Sequence, residues 1–201
     1  MSYVKIIPCL DLSNPVEAAK FYSNTGADAI AYFDSKATKE NREANIDVIK
    51  EITRAVDVPL IACGGIRKLE DVKKLLYAGA AKVCIKSAAL KNPQLVKEAA
   101  ERFGSERIII TIDLSEVEDP FTYAKELKEL GAGELLLLHN NKVDNYEAIA
   151  EKIRTEVMIP IIVSSYAQDG EAMADMVKAT GARTISLYNL DKLDIMEIKQ
   201  C

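Results

Sequence analysis

Ile6-Ile7-Pro8-Cys9-Leu10-Asp11-Leu12-Ser13 returns about 100 residues later as Ile109-Ile110-Thr111-Ile112-Asp113-Leu114-Ser115. The echo extends outward from these two runs. Asn14-Pro15-Val16-Glu17-Ala18-Ala19-Lys20 is matched by Asp119-Pro120-Phe121-Thr122-Tyr123-Ala124-Lys125, and Gly26-Ala27 by Gly131-Ala132. Val58-Pro59-Leu60-Ile61 is matched by Ile159-Pro160-Ile161-Ile162, and Gly79-Ala80 by Gly181-Ala182. A period this long exceeds the roughly 20–50 residues of solenoid repeats and points to two fused halves of one barrel. In that arrangement Asp11 and Asp113 end corresponding strands and face each other across the enclosed space.

Between the two echoes, short apolar runs alternate with amphipathic stretches, the pattern of βαβ units around a parallel sheet. Strands are predicted at Val4–Leu10, Ala29–Phe33, Leu60–Ala62, Lys82–Ile85, Ile108–Ile112, Leu135–Leu138, Ile161–Val163 and Thr184–Leu187. Eight strands make an α/β fold of the (β/α)8, or TIM-barrel, type with an internal two-fold repeat. The whole chain, 1–201, reads as one domain, with half-barrels of approximately 1–104 and 105–201; no Ser/Gly linker divides it. Asn14 with Glu17 has the pattern of a capping box, and Asp119-Pro120 opens a later helix in the same way. Gly26, Gly79, Gly131 and Gly181 suit helix C-terminal caps. The loops after the strands are short; the longest, Ser35–Asn41, is predicted to be a polar loop.

Composition narrows the function classes. A net charge of −5 and a pI near 5.1 give no basic footprint for nucleic acid. No apolar run approaches the roughly 20 residues that span a membrane, and no signal peptide is read at the N-terminus. Cys9, Cys63, Cys84 and Cys201 form no Cys-x-x-Cys pair, and three fall in or directly after predicted strands, which favours reduced thiols and a cytoplasmic location. The single histidine, His139, cannot by itself build a zinc site, and neither metal nor cofactor is expected.

Chemistry in such barrels sits at the C-terminal ends of the strands. Asp11 and Asp113 are therefore the catalytic candidates: a carboxylate ending an apolar strand is costly unless it has a role or a partner. On opposite strands, the pair could divide acid and base work. Cys63-Gly64-Gly65-Ile66-Arg67 follows the third strand, where paired glycines let backbone amides approach an anion. Lys86-Ser87, one βα unit later, offers an ammonium and a hydroxyl to the same phosphate. Phosphate binding is thus assigned to Gly64, Gly65, Lys86 and Ser87. The second half lacks the equivalent: Ser165-Tyr166-Ala167-Gln168 and Tyr188-Asn189 occupy those positions. Asp34, His139 and Asn140 end strands at the same mouth and are accessory candidates; Asp34 could equally cap a helix, and His139 could be structural.

Ile-Ile-Pro-Cys-Leu-Asp (6–11), Cys-Gly-Gly-Ile-Arg (63–67), Lys-Val-Cys-Ile-Lys-Ser-Ala-Ala (82–89) and Arg102-Phe103-Gly104-Ser105 together resemble the cyclase subunit of imidazole glycerol phosphate synthase, in the histidine-biosynthesis barrel family. The resemblance implies a (β/α)8 barrel. It implies a lyase that uses ammonia from a glutaminase partner to cleave and cyclise a bisphosphorylated ribulosyl aminoimidazole. By position, Asp11 and Asp113 match the family's acid/base aspartates, and Gly65 and Ser87 match one phosphate site, where Lys86 replaces an asparagine. At the opposite face Lys5, Lys82 and Glu134 match a charged ammonia gate, next to which a glutaminase subunit would dock. Ala29 and Ala81 stand there in place of acids.

The chain also departs from that pattern. The family's long first loop with its catalytic lysine is absent between Ser13 and Asn14, as is the hairpin after the fifth strand. Asn140-Asn141-Lys142-Val143 replaces the Asp-Arg-Asp-Gly loop of the second phosphate site, and Tyr166 and Tyr188 replace small residues. Three readings stay open: an ammonia-dependent cyclase with activity impaired by these losses; a divergent barrel that binds a singly phosphorylated ligand or a protein partner without catalysis; or a phosphosugar isomerase of the sister type. A phosphorylated small-molecule ligand is the expected partner, and neither a nucleic acid nor a membrane is.

Overall fold

Runs of Ile, Leu and Val flanked by Gly and Pro extend into eight strands: β1 (Lys5–Leu10), β2 (Ile30–Phe33), β3 (Leu60–Cys63), β4 (Lys82–Ile85), β5 (Ile108–Asp113), β6 (Glu134–Leu138), β7 (Ile161–Ser165) and β8 (Thr184–Leu187). The computed structural model describes residues 3–10, 13–138, 145–165, 170–188 and 195–200. Asp11, His139, Asn140 and Tyr166 lie outside them. Every neighbouring pair is parallel, and β8 returns to β1 with Lys5 opposite Thr184 and Pro8 opposite Leu187, closing the barrel in chain order.

Helices carry the chain back between strands: α1 (Pro15–Asn24), α2 (Ser35–Lys39), α3 (Ile46–Ala55), α4 (Leu69–Tyr77), α5 (Ser87–Lys91), α6 (Gln94–Phe103), α7 (Pro120–Glu129), α8 (Tyr146–Lys152), α9 (Gly170–Thr180) and α10 (Ile195–Gln200). The period of two along each strand sorts side chains into two buried layers. Ile6, Ile30, Leu60, Val83, Ile110, Leu135 and Val163 pack outward with the helices. Ile7, Ala31, Ile61, Cys84, Ile109, Leu136 and Ile162 point inward and fill the barrel. Tyr146 joins β6 to β7: its buried hydroxyl donates to the Leu137 carbonyl at 2.9 Å and accepts from the Ser164 amide at 3.2 Å.

Two local expectations meet different outcomes. Asp119 caps α7 as predicted, accepting from the Phe121 and Thr122 amides. Asn14 stands before α1 but makes no side-chain cap bond. The stretch expected as a polar loop after β2 is instead helical over Ser35–Lys39, because Asp34 caps it through the Ala37 amide. Among the described residues no helix is long and apolar enough to cross a membrane.

Candidate functional site

The mouth of the barrel is built from strand ends. β5 delivers Asp113, and β4 ends one residue before Lys86. Because β4 and β5 are neighbours, the two side chains meet: Lys86 Nζ lies 2.8 Å from Asp113 Oδ2 and 3.1 Å from Glu116 Oε1. The other carboxylate oxygen of Asp113 accepts from the Ser115 amide at 3.1 Å and the Ser115 hydroxyl at 2.7 Å. Burial alone would raise the Asp113 carboxyl, yet the Lys86 ammonium and the two Ser115 donors outweigh it and hold it below the ordinary value of 3.8. The Lys86 amine answers in kind. Burial would lower it, and the bonds to Asp113 and Glu116 prevail and raise it above 10.5. Asp113 is therefore a carboxylate at neutral pH, fit to accept a proton.

Asp34 follows β2, two strands from Lys86 and three from Asp113, and is almost wholly enclosed, at 1% exposure. The Arg42 guanidinium grips both its oxygens at 2.9 Å, and the Ala37 and Asn45 amides donate at 3.0 and 3.1 Å. Burial is again outweighed, chiefly by Arg42, and the carboxyl lies below its ordinary value. With these donors in place, Asp34 ties α2 and its following loop to β2, which is the capping alternative left open above.

The paired glycines form a turn that only glycine admits. Gly64 has φ +91° and Gly65 φ +67°; a Cβ would stand 2.4 Å from the Asp34 carbonyl oxygen at the first and 2.6 Å from the Ala44 amide nitrogen at the second. The turn thus lies directly against the segment that Asp34 anchors. Gly65 donates its amide to Thr38 Oγ1 at 3.2 Å, and Arg67 donates to the Asn41 carbonyl at 2.9 Å. Asp71, buried nearby, accepts from the Arg67 and Lys68 amides with Oδ2, while Oδ1 has no partner among the described residues. Ser87 begins α5 beside Lys86 and is half-buried. The four residues assigned to phosphate therefore share one side of the mouth, with the Gly65 amide and the Lys86 ammonium already engaged inside the protein.

Sequence reasoning missed several contributors. Ser115 and Glu116 complete the cluster around Asp113, and the Asp113-Leu114-Ser115 spacing is the signal that could have found the first, since an aspartate commonly bonds the backbone two residues on. Phe33, ending β2, is 39% exposed although the rest of that strand is buried. Below the mouth, Cys9, Cys63, Cys84, Ser186 and Tyr188 line a cavity of about 10 Å³, room for about one water. Burial pushes the Cys9 thiol up to about 11, so it stays protonated and a poor nucleophile at neutral pH. Among the described residues no group of three or more His, Cys, Asp or Glu is placed to hold a metal ion.

At the opposite end, Lys82 Nζ pairs with Glu134 Oε2 at 2.9 Å, reaching from the start of β4 to the start of β6. Lys5 begins β1 and is exposed. Asp28, not picked out from sequence, accepts from the Ile6 amide at 2.7 Å and pairs with Lys199 at 2.7 Å.

Residues 9–138 match the protein family described as "Histidine biosynthesis protein". The protein named imidazole glycerol phosphate synthase subunit HisF of an Exiguobacterium species is 36% identical, the alignment covering 98% of this chain and 85% of that protein. The protein of the same name from Streptococcus mutans is 33% identical, over 98% of this chain and 88% of that protein.

Proposed function

This chain belongs to the histidine biosynthesis protein family, and from that premise we propose that it is a cyclase of the imidazole glycerol phosphate synthase type. It takes ammonia and a phosphorylated ribulosyl aminoimidazole carboxamide, cleaves the carboxamide portion away and closes the imidazole ring. The observation that carries the reading is Asp113: a carboxylate at the end of β5, held charged by Lys86 and Ser115, in a barrel with relatives of that name over nearly its full length. A charged carboxylate is in the protonation state needed to accept protons from the carbon or nitrogen centres that must lose them during ring closure. The adjacent ammonium, which weakens it as a base, fixes its orientation. Asp11 is assigned the complementary acid role from its position in the repeat.

One phosphate is proposed to sit between the Gly64–Gly65 turn and Lys86–Ser87. A glutaminase subunit is the proposed ammonia source, docking at the face that carries Lys5, Lys82 and Glu134; the word "subunit" in the relatives' names supports a partner. The test is turnover of the bisphosphate substrate with an ammonium salt in place of a glutaminase. Asp113→Asn is expected to lower kcat at least about 100-fold, as loss of a general base does; equal turnover in that variant removes Asp113 from the chemistry.

A second reading has its own support. The Gly65 amide is taken by Thr38 and the Lys86 ammonium by two carboxylates, so the phosphate seat is weaker than an open cradle. A barrel that binds a singly phosphorylated ligand without turnover fits that feature. Specific, ammonia-dependent product formation would eliminate it.

A further inference from the structure

The register of the ladders sorts the inner face of the barrel into layers. β3 carries Cys63 opposite Phe33, and β4 carries Cys84 opposite Cys63. Strands in an eight-stranded barrel of this kind are staggered by about one residue each, so the residue level with Phe33 on the β4 side lies beyond Cys84, at Lys86. Continued along the ladders, the same step leads from Lys86 to Leu138, from Leu138 to Tyr188, and from Tyr188 back to Phe33. The strand alternation points all four inward. Ala31, Cys84 and Leu136, next but one before Phe33, Lys86 and Leu138, belong to the inner cluster, and Ser186, next but one before Tyr188, lines the cavity inside it. Four side chains from alternate strands in one layer is the ordinary packing of such barrels.

The members of this layer finish differently. Tyr188 lines the small cavity with Cys9, Cys63 and Cys84, and Leu138 packs half-buried on the inner cluster. Lys86 carries its ammonium away to Asp113 and Glu116. Phe33 keeps 39% exposure, although Ala31 below it on the same face is 5% exposed. The other exposed large apolar side chains among the described residues, Tyr3, Tyr77, Leu90, Met158 and Met196, all stand outside the strands. Asp113, in register with Leu138, stands one residue above the layer once the stagger is included. The mouth therefore has an apolar, largely aromatic floor, with Phe33 open to it and a carboxylate just above.

We propose that Phe33 is the stacking face for a planar heteroaromatic ring of the ligand, which lies on the floor made with Leu138 and Tyr188. The barrel interior at eight strands is just wide enough for side chains to fill, so inward groups of one layer converge on a common space. A flat ring covers the Phe33 face in an offset stack and keeps its polar edges toward the charged rim. A sugar phosphate without a ring would set hydroxyls against that face and leave them poorly bonded. The floor stands on register and exposure; that the ring is an aminoimidazole rests on the cyclase reading.

The test sets two probes on the wild-type chain: aminoimidazole carboxamide ribonucleotide, and ribose phosphate, which lacks the ring. The ribonucleotide is expected to bind more tightly and to show nuclear Overhauser contacts between its ring C–H and the Phe33 ring protons. Phe33→Leu keeps an apolar side chain without the aromatic face. It should weaken the ribonucleotide by roughly 5- to 100-fold, the range of a base stacked on an aromatic side chain, and leave ribose phosphate unchanged, while Phe33→Trp keeps the affinity. Equal binding of the two probes by the wild type, binding of neither, or an unchanged ribonucleotide affinity in Phe33→Leu overturns the proposal. If Phe33→Leu fails to fold, the contact decides: bound ribonucleotide with no Overhauser contact to Phe33 overturns it. A ribonucleotide stacked on Phe33 in a protein without turnover contradicts the cyclase reading and leaves the stack standing. Ammonia-dependent turnover with no contact at Phe33 does the reverse.

Discussion

At the scale of single residues, the two strand-end carboxylates that the structure describes have been given different work by their neighbours. Asp113 shares a partly exposed ammonium with Glu116, whereas Asp34 is enclosed and bound by Arg42, Ala37 and Asn45. The first can exchange partners and the second cannot do so without unfolding α2. Asp34→Ala is therefore expected to destabilise the protein by about 2–3 kcal/mol, through loss of the cap and of charge-assisted hydrogen bonds, with chemical denaturation as the check. The sign of the accompanying pH dependence follows from the depressed folded value. Asp34 contributes stability fully above its unfolded value, near 3.8, and that contribution is lost as pH falls through the lower folded value. Wild type and Asp34→Ala should accordingly converge in stability toward strong acid, with the gap opening as pH rises toward about 5 and constant above it; a gap independent of pH across the acid range contradicts this account. From sequence alone Asp113 and Asp34 were not separable to this degree. Arg42 lies in a stretch with no periodicity to place it, so its grip on Asp34 left no trace in the pattern.

Elements were the most legible level. Strand positions followed from apolar runs and their flanking Gly and Pro, with differences of a residue or two at the ends, as at β5, which extends to include Asp113, and β7, which extends to Ser165. The exception, Ser35–Lys39, has no apolar face and reads as loop; a single capping carboxylate and the glycine turn packed beneath it make it helical. Lys86 shows the limit of motif reading. Beside Ser87 it resembles part of a phosphate seat, but strand order puts it next to Asp113, a neighbour more than twenty residues away in sequence. The adjacency of β4 and β5 was available in the repeat and could have suggested the pair. The joint between β6 and β7 depends on Tyr146 in a way no pattern reveals, since its hydroxyl serves a carbonyl on one strand and an amide on the next. Tyr146→Phe keeps the ring and strands both buried groups, so a loss of about 1–2 kcal/mol is expected on denaturation. No loss would mean that the two groups find other partners.

For the molecule as a whole, eight parallel strands closed in chain order place β4 and β5, and the charges at their ends, at a single mouth, with an ion pair at the far end where Lys82 meets Glu134. The closed fold was foreshadowed by the two echoing passages, because a half-barrel repeat leaves few other ways to bury both copies. The chemistry was less legible. It depends on which partners each strand-end group acquires, and the repeat preserves them only in part: Ser115 has its counterpart in Ser13, whereas Glu116 gives way to Asn14. The central claim, that this trimmed barrel of the histidine biosynthesis family runs an ammonia-dependent cyclisation, is tested most directly by one measurement. The wild-type chain is supplied with the bisphosphorylated ribulosyl aminoimidazole carboxamide, and imidazole glycerol phosphate is followed as ammonium is raised. Product that rises with ammonium and then saturates is the predicted result; correctly folded protein that forms none at any ammonium concentration contradicts it.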